Sequence, residues 1–225
     1  MRRLAAAALL LSAATAGAEE RYGFIQGERV EYRQSSQSLL WDLQGWYGSD
    51  YHKLWIKTEG TVANGSTQDA ELQVLYSRAS TAFFDLQLGI RYQDLAVGDL
   101  TSVVAGMQGV APYRFEIDAA LFLSEDGDIS GRAEFERDYL FSEKLILQPR
   151  AEINIAFQDV PELAISSGVN ELALELRLRY EITRKFAPYI GLSYERAYGG
   201  AARALNAAGE SSSDTTLLVG MRFWF

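Results

Sequence analysis

Apolar and polar residues alternate in about twelve long runs, the connections between them swing between short and long, and the last run ends the chain on phenylalanine. Together these predict an all-β fold: a transmembrane, antiparallel, up-and-down β-barrel of about twelve strands in an outer membrane.

Composition narrows the field first. The chain has 225 residues, no cysteine, one histidine and a formal charge of -9. Its 48% hydrophobic content excludes a disordered chain, and its length suits one domain, at most two. The acidic balance argues against a nucleic-acid partner, which needs a basic face. Without cysteine there are no disulfides, zinc–thiolate sites or thiol nucleophiles, and one histidine excludes multi-histidine metal centres.

The N-terminus reads as an address. Arg2 and Arg3 precede an apolar stretch from Leu4 to Ala16, and Ala16-Gly17-Ala18 has the small-x-small pattern of a signal-peptidase site. The reading is a cleaved signal peptide over 1–18 and a single barrel domain over 19–225. Export to the periplasm follows, and the missing cysteines are compatible with an oxidising compartment.

Strands are expected near 24–33, 37–47, 52–61, 68–77, 82–92 and 99–108, the second and sixth being less regular. The fifth interleaves Phe84, Leu86, Leu88, Ile90 and Tyr92 with Asp85, Gln87 and Arg91. The seventh, 112–123, sets Tyr113, Phe115, Ile117, Ala119, Leu121 and Leu123 against Arg114, Glu116 and Asp118. An irregular eighth is placed at 128–137, and a ninth at 144–157 alternating Ile153, Ile155 and Phe157 with Glu152 and Asn154. The tenth, 169–181, sets Leu172, Leu174, Leu176 and Leu178 against Glu171, Glu175, Arg177 and Arg179. A helical period would scatter those leucines, whereas a period of two puts them on one face. The last strands fall at 187–198 and 214–225. Turn-forming residues stand at the joints, among them Asn64-Gly65-Ser66 and Asp126-Gly127.

Connections after the even-numbered strands are short, and two of the others, 158–168 and 199–213, are long. That rhythm suits short periplasmic turns, long external loops and both termini in the periplasm. In the last strand Thr215, Leu217, Val219, Met221, Phe223 and Phe225 share a face. It resembles the signal by which outer-membrane barrels reach their assembly machinery, with Phe223 and Phe225 as its carriers. An open sheet edge cannot persist in lipid, so the sheet is expected to close. Trp41, Trp46, Tyr47, Trp55, Tyr92, Tyr113, Tyr139, Tyr180, Tyr194 and Phe223 are candidates for interfacial aromatic girdles.

If the leucine faces meet lipid, the charged faces line the lumen. Candidates are Glu71, Arg91, Arg114, Glu116 and Asp118, then Arg132, Glu134, Glu136, Arg150 and Glu152, then Glu171, Glu175, Arg177, Arg179 and Glu195. Both signs occur together, so the interior is expected to be partly closed by paired charges, with at most a narrow water path. Catalysis finds little support. His52 is the only histidine, and Glu134/Glu136 or Glu171/Glu175 are only carboxylate pairs along one strand face, about 7 Å apart in the first. Glu125-Asp126-Gly127-Asp128 lacks the later ligands of a calcium loop. The expectation is that the protein is not an enzyme.

Several stretches are similar to the copper resistance protein B family. They include Trp46-Tyr47-Gly48, the run from Lys53 to Gly60, Ala70-Glu71-Leu72, Leu75-Tyr76-Ser77-Arg78 and Phe84-Asp85-Leu86-Gln87. Further on come Gly109-Val110-Ala111-Pro112-Tyr113, the run from Leu145 to Arg150, the run from Leu176 to Glu181, the run from Phe186 to Gly191, and Arg222-Phe223-Trp224-Phe225. They stand in collinear order from about residue 22 to the end. The resemblance implies an outer-membrane barrel of copper resistance acting beside a periplasmic multicopper oxidase, by sequestering copper or aiding its export. It also implies a segment rich in Met and His before the barrel, which residues 19–24, Glu-Glu-Arg-Tyr-Gly-Phe, do not match. Only His52, Met107 and Met221 then offer imidazole or thioether ligands, with Met221 on the expected lipid face. His52 and Met107 are the metal candidates, near the periplasmic rim. Copper binding is expected to be weak or transient, with no tightly held cofactor. The alternatives are a scaffold or adhesin barrel acting through loops 158–168 and 199–213 without a metal role, and a lipid-modifying enzyme.

Overall fold

The computed structural model describes residues 20–95 and 98–225. The expected signal peptide, 1–18, lies outside the described residues. Within them twelve antiparallel strands follow in chain order: β1 (Tyr22–Arg33), β2 (Ser38–Gly48), β3 (His52–Ala63), β4 (Ser66–Ala79), β5 (Phe84–Leu95) and β6 (Gly98–Ala111). Next come β7 (Phe115–Ser124), β8 (Ile129–Glu136, resuming at Tyr139–Leu140), β9 (Leu145–Ala156), β10 (Gly168–Tyr180), β11 (Phe186–Ala197) and β12 (Ser213–Trp224). Each pairs with the next, and β12 pairs back with β1, so no edge is left for lipid. The C-terminal residue completes the seam: Phe225 N–H donates to the Ile25 carbonyl at 2.8 Å, and Ile25 N–H returns the bond at 3.1 Å.

The turns at the end holding the start of β1 and the C-terminus, here the terminal end, are 49–51, 80–83, 112–114, 141–144 and 181–185. The opposite, loop end carries both long connections, 157–167 and 198–212. The latter contains a helix, α1 (Gly199–Ala207), where the sequence suggested only a loop. It packs on its neighbour, with Arg203 Nη2 donating to Ser166 Oγ at 2.9 Å.

Alternation decides the two faces. Leu88, Ile90, Leu217 and Val219 are about 60% exposed and belong to a continuous apolar exterior. On a water-soluble protein such a surface would be a liability, but it matches a bilayer. Inside, the largest fully buried side chains include Arg177 and Glu31 beside Leu75 and Leu218. Strand edges lie within about three residues of the sequence expectation, with three instructive differences.

The first is a bulge in β1, where the register shifts between Gly27 and Arg29. Glu28 and Arg29 are adjacent yet both buried, and Glu31 follows inward. An extra residue reverses the parity of everything after it. The second difference is the entry to β7. Pro112–Arg114 form a single 3-10 turn in which Tyr113 and Arg114 have positive φ (65° and 62°). The strand therefore starts at Phe115, and Arg114 is exposed in a turn instead of lining the lumen. The third is the interruption of β8 at Arg137 and Asp138. Arg137 N–H bonds to the Pro149 carbonyl at 3.2 Å, but Pro149 has no N–H to return.

The girdle expectation needs a correction too. Tyr47, Tyr92, Tyr113, Tyr139 and Tyr180 are exposed. Trp46 and Trp55 instead turn inward and pack with Leu75, Val104 and Phe122 in an apolar cluster of the lumen. Trp55 shares the parity of Lys53, Lys57 and Glu59, all polar lumen residues, and Trp46 is its register partner on β2.

Candidate functional site

The lumen is crossed by a belt of arginine–carboxylate contacts. Its hub is Glu175, approached by Arg33 at 3.0 Å, Arg150 at 3.6 Å and Arg29 at 3.7 Å, and by Arg177. Arg150 also contacts Glu134 at 2.5 Å, Glu136 at 3.4 Å, and Glu152. Arg177 reaches Glu136 at 3.6 Å, and Arg33 also holds Glu31 and Glu195. Several bridges span the lumen. Arg132 on β8 donates to Glu71 on β4 at 3.1 and 3.3 Å and to Glu59 on β3 at 3.3 Å. Lys57 on β3 meets Asp118 on β7 at 2.5 Å, and Arg29 on β1 meets Glu59 at 2.5 Å. Arg91 contacts Glu71 at 3.7 Å and lies 3.5 Å from the centre of the Phe122 ring.

Charge burial explains the density of the network. An isolated charge in a confined lumen loses hydration, so each carboxylate is held against guanidinium groups whose fork donates to several acceptors at once. The network sets a partition between two cavities that share Glu59, Glu71 and Arg132. The terminal-end cavity is lined by eight carboxylates against two cationic side chains, Lys57 and Arg132. Its acids include Glu28, Asp42, Glu116 and Asp118. The loop-end cavity has seven carboxylates, among them Asp69, Glu171, Glu175 and Glu195, beside four arginines, Arg29, Arg33, Arg132 and Arg150. A cation entering from the terminal end meets the larger carboxylate excess first and the arginine–carboxylate bridges of the belt behind it.

Most lumen candidates converge here. Glu71, Arg91, Asp118, Arg132, Glu134, Glu136, Arg150, Glu152, Glu175, Arg177 and Glu195 all form inward ion pairs, and Arg179 meets Asp138 at 2.6 Å. Glu116 and Glu171 line the terminal-end and loop-end cavities respectively. Arg29, Glu31, Arg33, Asp42, Lys57 and Glu59 were not anticipated. The alternation Lys53, Trp55, Lys57, Glu59 against Leu54 and Ile56 could have shown the β3 members. The β1 members were hidden by the bulge.

The two metal candidates do not meet. His52 is on the outer wall, its Nδ1 2.5 Å from Tyr76 Oη and its ring stacked on the tyrosine. Met107 is also outward and lines an apolar exterior groove. The register links His52 to Arg78, Arg78 to Leu86 and Leu86 to Met107. That places them three strand spacings apart, about 14 Å. Among the described residues no group of three His, Asp or Glu side chains is arranged to hold a metal ion. Carboxylates are abundant, but arginines are interleaved with them. Phe223 and Phe225 stand at the seam with ring centres 6.0 Å apart, Phe223 covering Gly27, where a side chain would collide with the ring.

Comparisons with known proteins bear on the same residues. The family model described as copper resistance protein B precursor matches residues 21–225. A copper resistance protein B of Escherichia coli is 36% identical over 200 residues, which are 88% of this chain and 68% of that protein. A copper resistance protein B homolog of Pseudomonas syringae pv. tomato is 35% identical over 205 residues, 90% of this chain and 69% of its own length. Among solved structures, the NanC porin aligns with a TM-score of 0.58 at 14% identity, covering 90% of this chain and 99% of the porin. The KdgM porin aligns at 0.54 and 12%, with the same coverages. At those identities the porins speak for the barrel alone.

Proposed function

The chain belongs to the copper resistance protein B family, and from that premise we propose that it works as a copper-capturing mouth on the periplasmic side of the outer membrane. The outer-membrane barrel and the copper-resistance role are the starting points. Capture, orientation and partnership are the proposal.

The observation that carries it is the charge of the terminal-end cavity, eight carboxylates against Lys57 and Arg132. Short turns, the start of β1 and the C-terminus lie at that end, as expected of the periplasmic face of such barrels. A cation is concentrated there by a cleft of one sign with low-dielectric walls. The arginine belt behind it opposes passage of a bare cation across the lumen. Copper is therefore held weakly and released on the same side, as cargo and not as a resident cofactor. A periplasmic multicopper oxidase is the partner suited to exchange copper there. Carboxylates favour Cu(II), whereas Cu(I) prefers thioethers and imidazole, neither of which faces the lumen among the described residues.

The test is calorimetry on the refolded barrel in detergent, with Cu(II), Cu(I), Zn(II) and Ca(II). Glu116→Gln/Asp118→Asn removes two acids near the cavity mouth. Saturable Cu(II) binding weakened at least fivefold in the variant supports capture. Absence of Cu(II) binding, or identical binding in both proteins, refutes it.

A further inference from the structure

A smaller, basic cavity also opens at the terminal end, between β1, β10, β11, β12 and the turn 181–185. Arg179, Arg184, Lys185 and Arg222 line it, with Glu181 the one acid among its lining residues. The two deeper arginines each keep one carboxylate, Arg179 with Asp138 at 2.6 Å and Arg222 with Glu28 at 3.0 Å. Arg179 has a side chain only 3% exposed, and its Nη1 has no hydrogen-bond partner. Arg184 and Lys185 form no ion pair among the described residues. The turn that carries them is fixed: Trp224 Nε1 donates to the Arg184 carbonyl at 2.7 Å, and Lys185 Nζ lies 5.1 Å from the centre of the Trp224 ring.

A buried guanidinium with a donor unspent is costly unless something else accepts from it. Two unpaired cations at the rim above it add a positive field. We propose that this cavity is a binding subsite for a phosphate group. A phosphate presents oxygens on several sides and suits donors converging from a cavity floor, wall and rim. It stands apart from the acidic cavity and does not depend on copper capture. The phosphate has two sources, free phosphate and the headgroup of an anionic phospholipid in the adjacent leaflet.

The barrel refolded in dodecyl maltoside, which carries no phosphate, is titrated calorimetrically with inorganic phosphate. A second titration uses short-chain phosphatidylglycerol below its micelle concentration, with chloride as control. Arg184→Gln/Lys185→Gln changes only exposed turn residues and preserves the fold. Arg179→Gln tests the cavity floor, with refolding checked by circular dichroism. Saturable binding of either phosphate source, weakened at least tenfold in the turn variant, is expected. Tighter binding of the phospholipid than of inorganic phosphate assigns the headgroup, and the reverse assigns the free ion. Absence of saturable binding to both, or equal binding by wild type and turn variant, overturns the proposal.

Discussion

Arg132 is where the partition between the two cavities is most exposed to attack. Its guanidinium donates twice to Glu71, at 3.1 and 3.3 Å, and once to Glu59 at 3.3 Å. At an effective dielectric of about 20, one unit pair at 3.1 Å attracts by about 5 kcal/mol. Most of that is offset by the hydration both groups lose. In Arg132→Ala, Glu59 keeps Arg29, Glu71 keeps Arg91 at 3.7 Å, and Glu152 keeps Arg150. The loss is one cation from a still-compensated network, not an orphaned charge, and water reaches the site from both cavities. The expected destabilisation is therefore about 2 kcal/mol, below the 3–5 kcal/mol of a broken dry pair. The larger effect is on permeation. Removing the shared side chain joins the two cavities and leaves the carboxylates facing the gap. Single-channel recording in planar bilayers should then show a steady, cation-selective conductance absent from the wild type. Arg132→Lys should be intermediate, since an ammonium keeps the charge but not the two-point grip. Equal conductance in wild type and Arg132→Ala would refute the view that this bridge seals the lumen.

Three further outcomes follow. Ile90→Arg puts a charge on the outer face of β5 and should cost about 2–4 kcal/mol if it lies near the bilayer midplane, read as a lowered denaturant midpoint in lipid vesicles. Phe225→Ala keeps both backbone bonds to Ile25, so refolding in detergent should match wild type. Its yield in the outer membrane of cells should fall if the terminal side chain serves recognition by the assembly machinery, and equal yields would dismiss that role. His52→Ala/Met107→Ala should leave Cu(II) calorimetry unchanged, because both side chains are outside the wall and about 14 Å apart; a lost binding event would contradict the lumen as the copper-handling surface.

The barrel was legible because lipid outside and charge inside impose a period of two on each strand, and β10 shows it from Glu171 to Tyr180 with Ala173 the one apolar residue on the inner face. What the period cannot show is which charges meet. Arg33 and Glu175 stand 142 positions apart and become neighbours only through closure of the ring. Local exceptions were hidden for local reasons. Arg114 fits the alternation of its run, yet the proline at 112 opens a turn with positive φ before the strand begins. Trp46 and Trp55 suggest an interface by residue type, but the parity of Trp55 with Lys57 and Glu59, and the pairing of Trp46 with Trp55, send them inward. The exposed Glu116 and the half-buried Glu195 were placed by pattern alone, because each sits on an uninterrupted alternation.

The bulge at Glu28 has a consequence for how this chain can change over time. On either side of it β1 is written in opposite phase, with Gln26 inward before and Arg29, Glu31 and Arg33 inward after. Deleting Glu28, the residue left without a partner between the Gly27–Leu43 and Arg29–Asp42 pairs, would remove the bulge and restore an unbroken alternation, with Arg29, Glu31 and Arg33 still inward. Deleting Val30 instead would turn Glu31 and Arg33 toward lipid, at about 2–4 kcal/mol each near the midplane, a total that is a large fraction of the stability of a typical domain. Single-residue length changes should thus be tolerated at the bulge and purged elsewhere along this strand, while substitutions, or compensated pairs of length changes, remain open to drift.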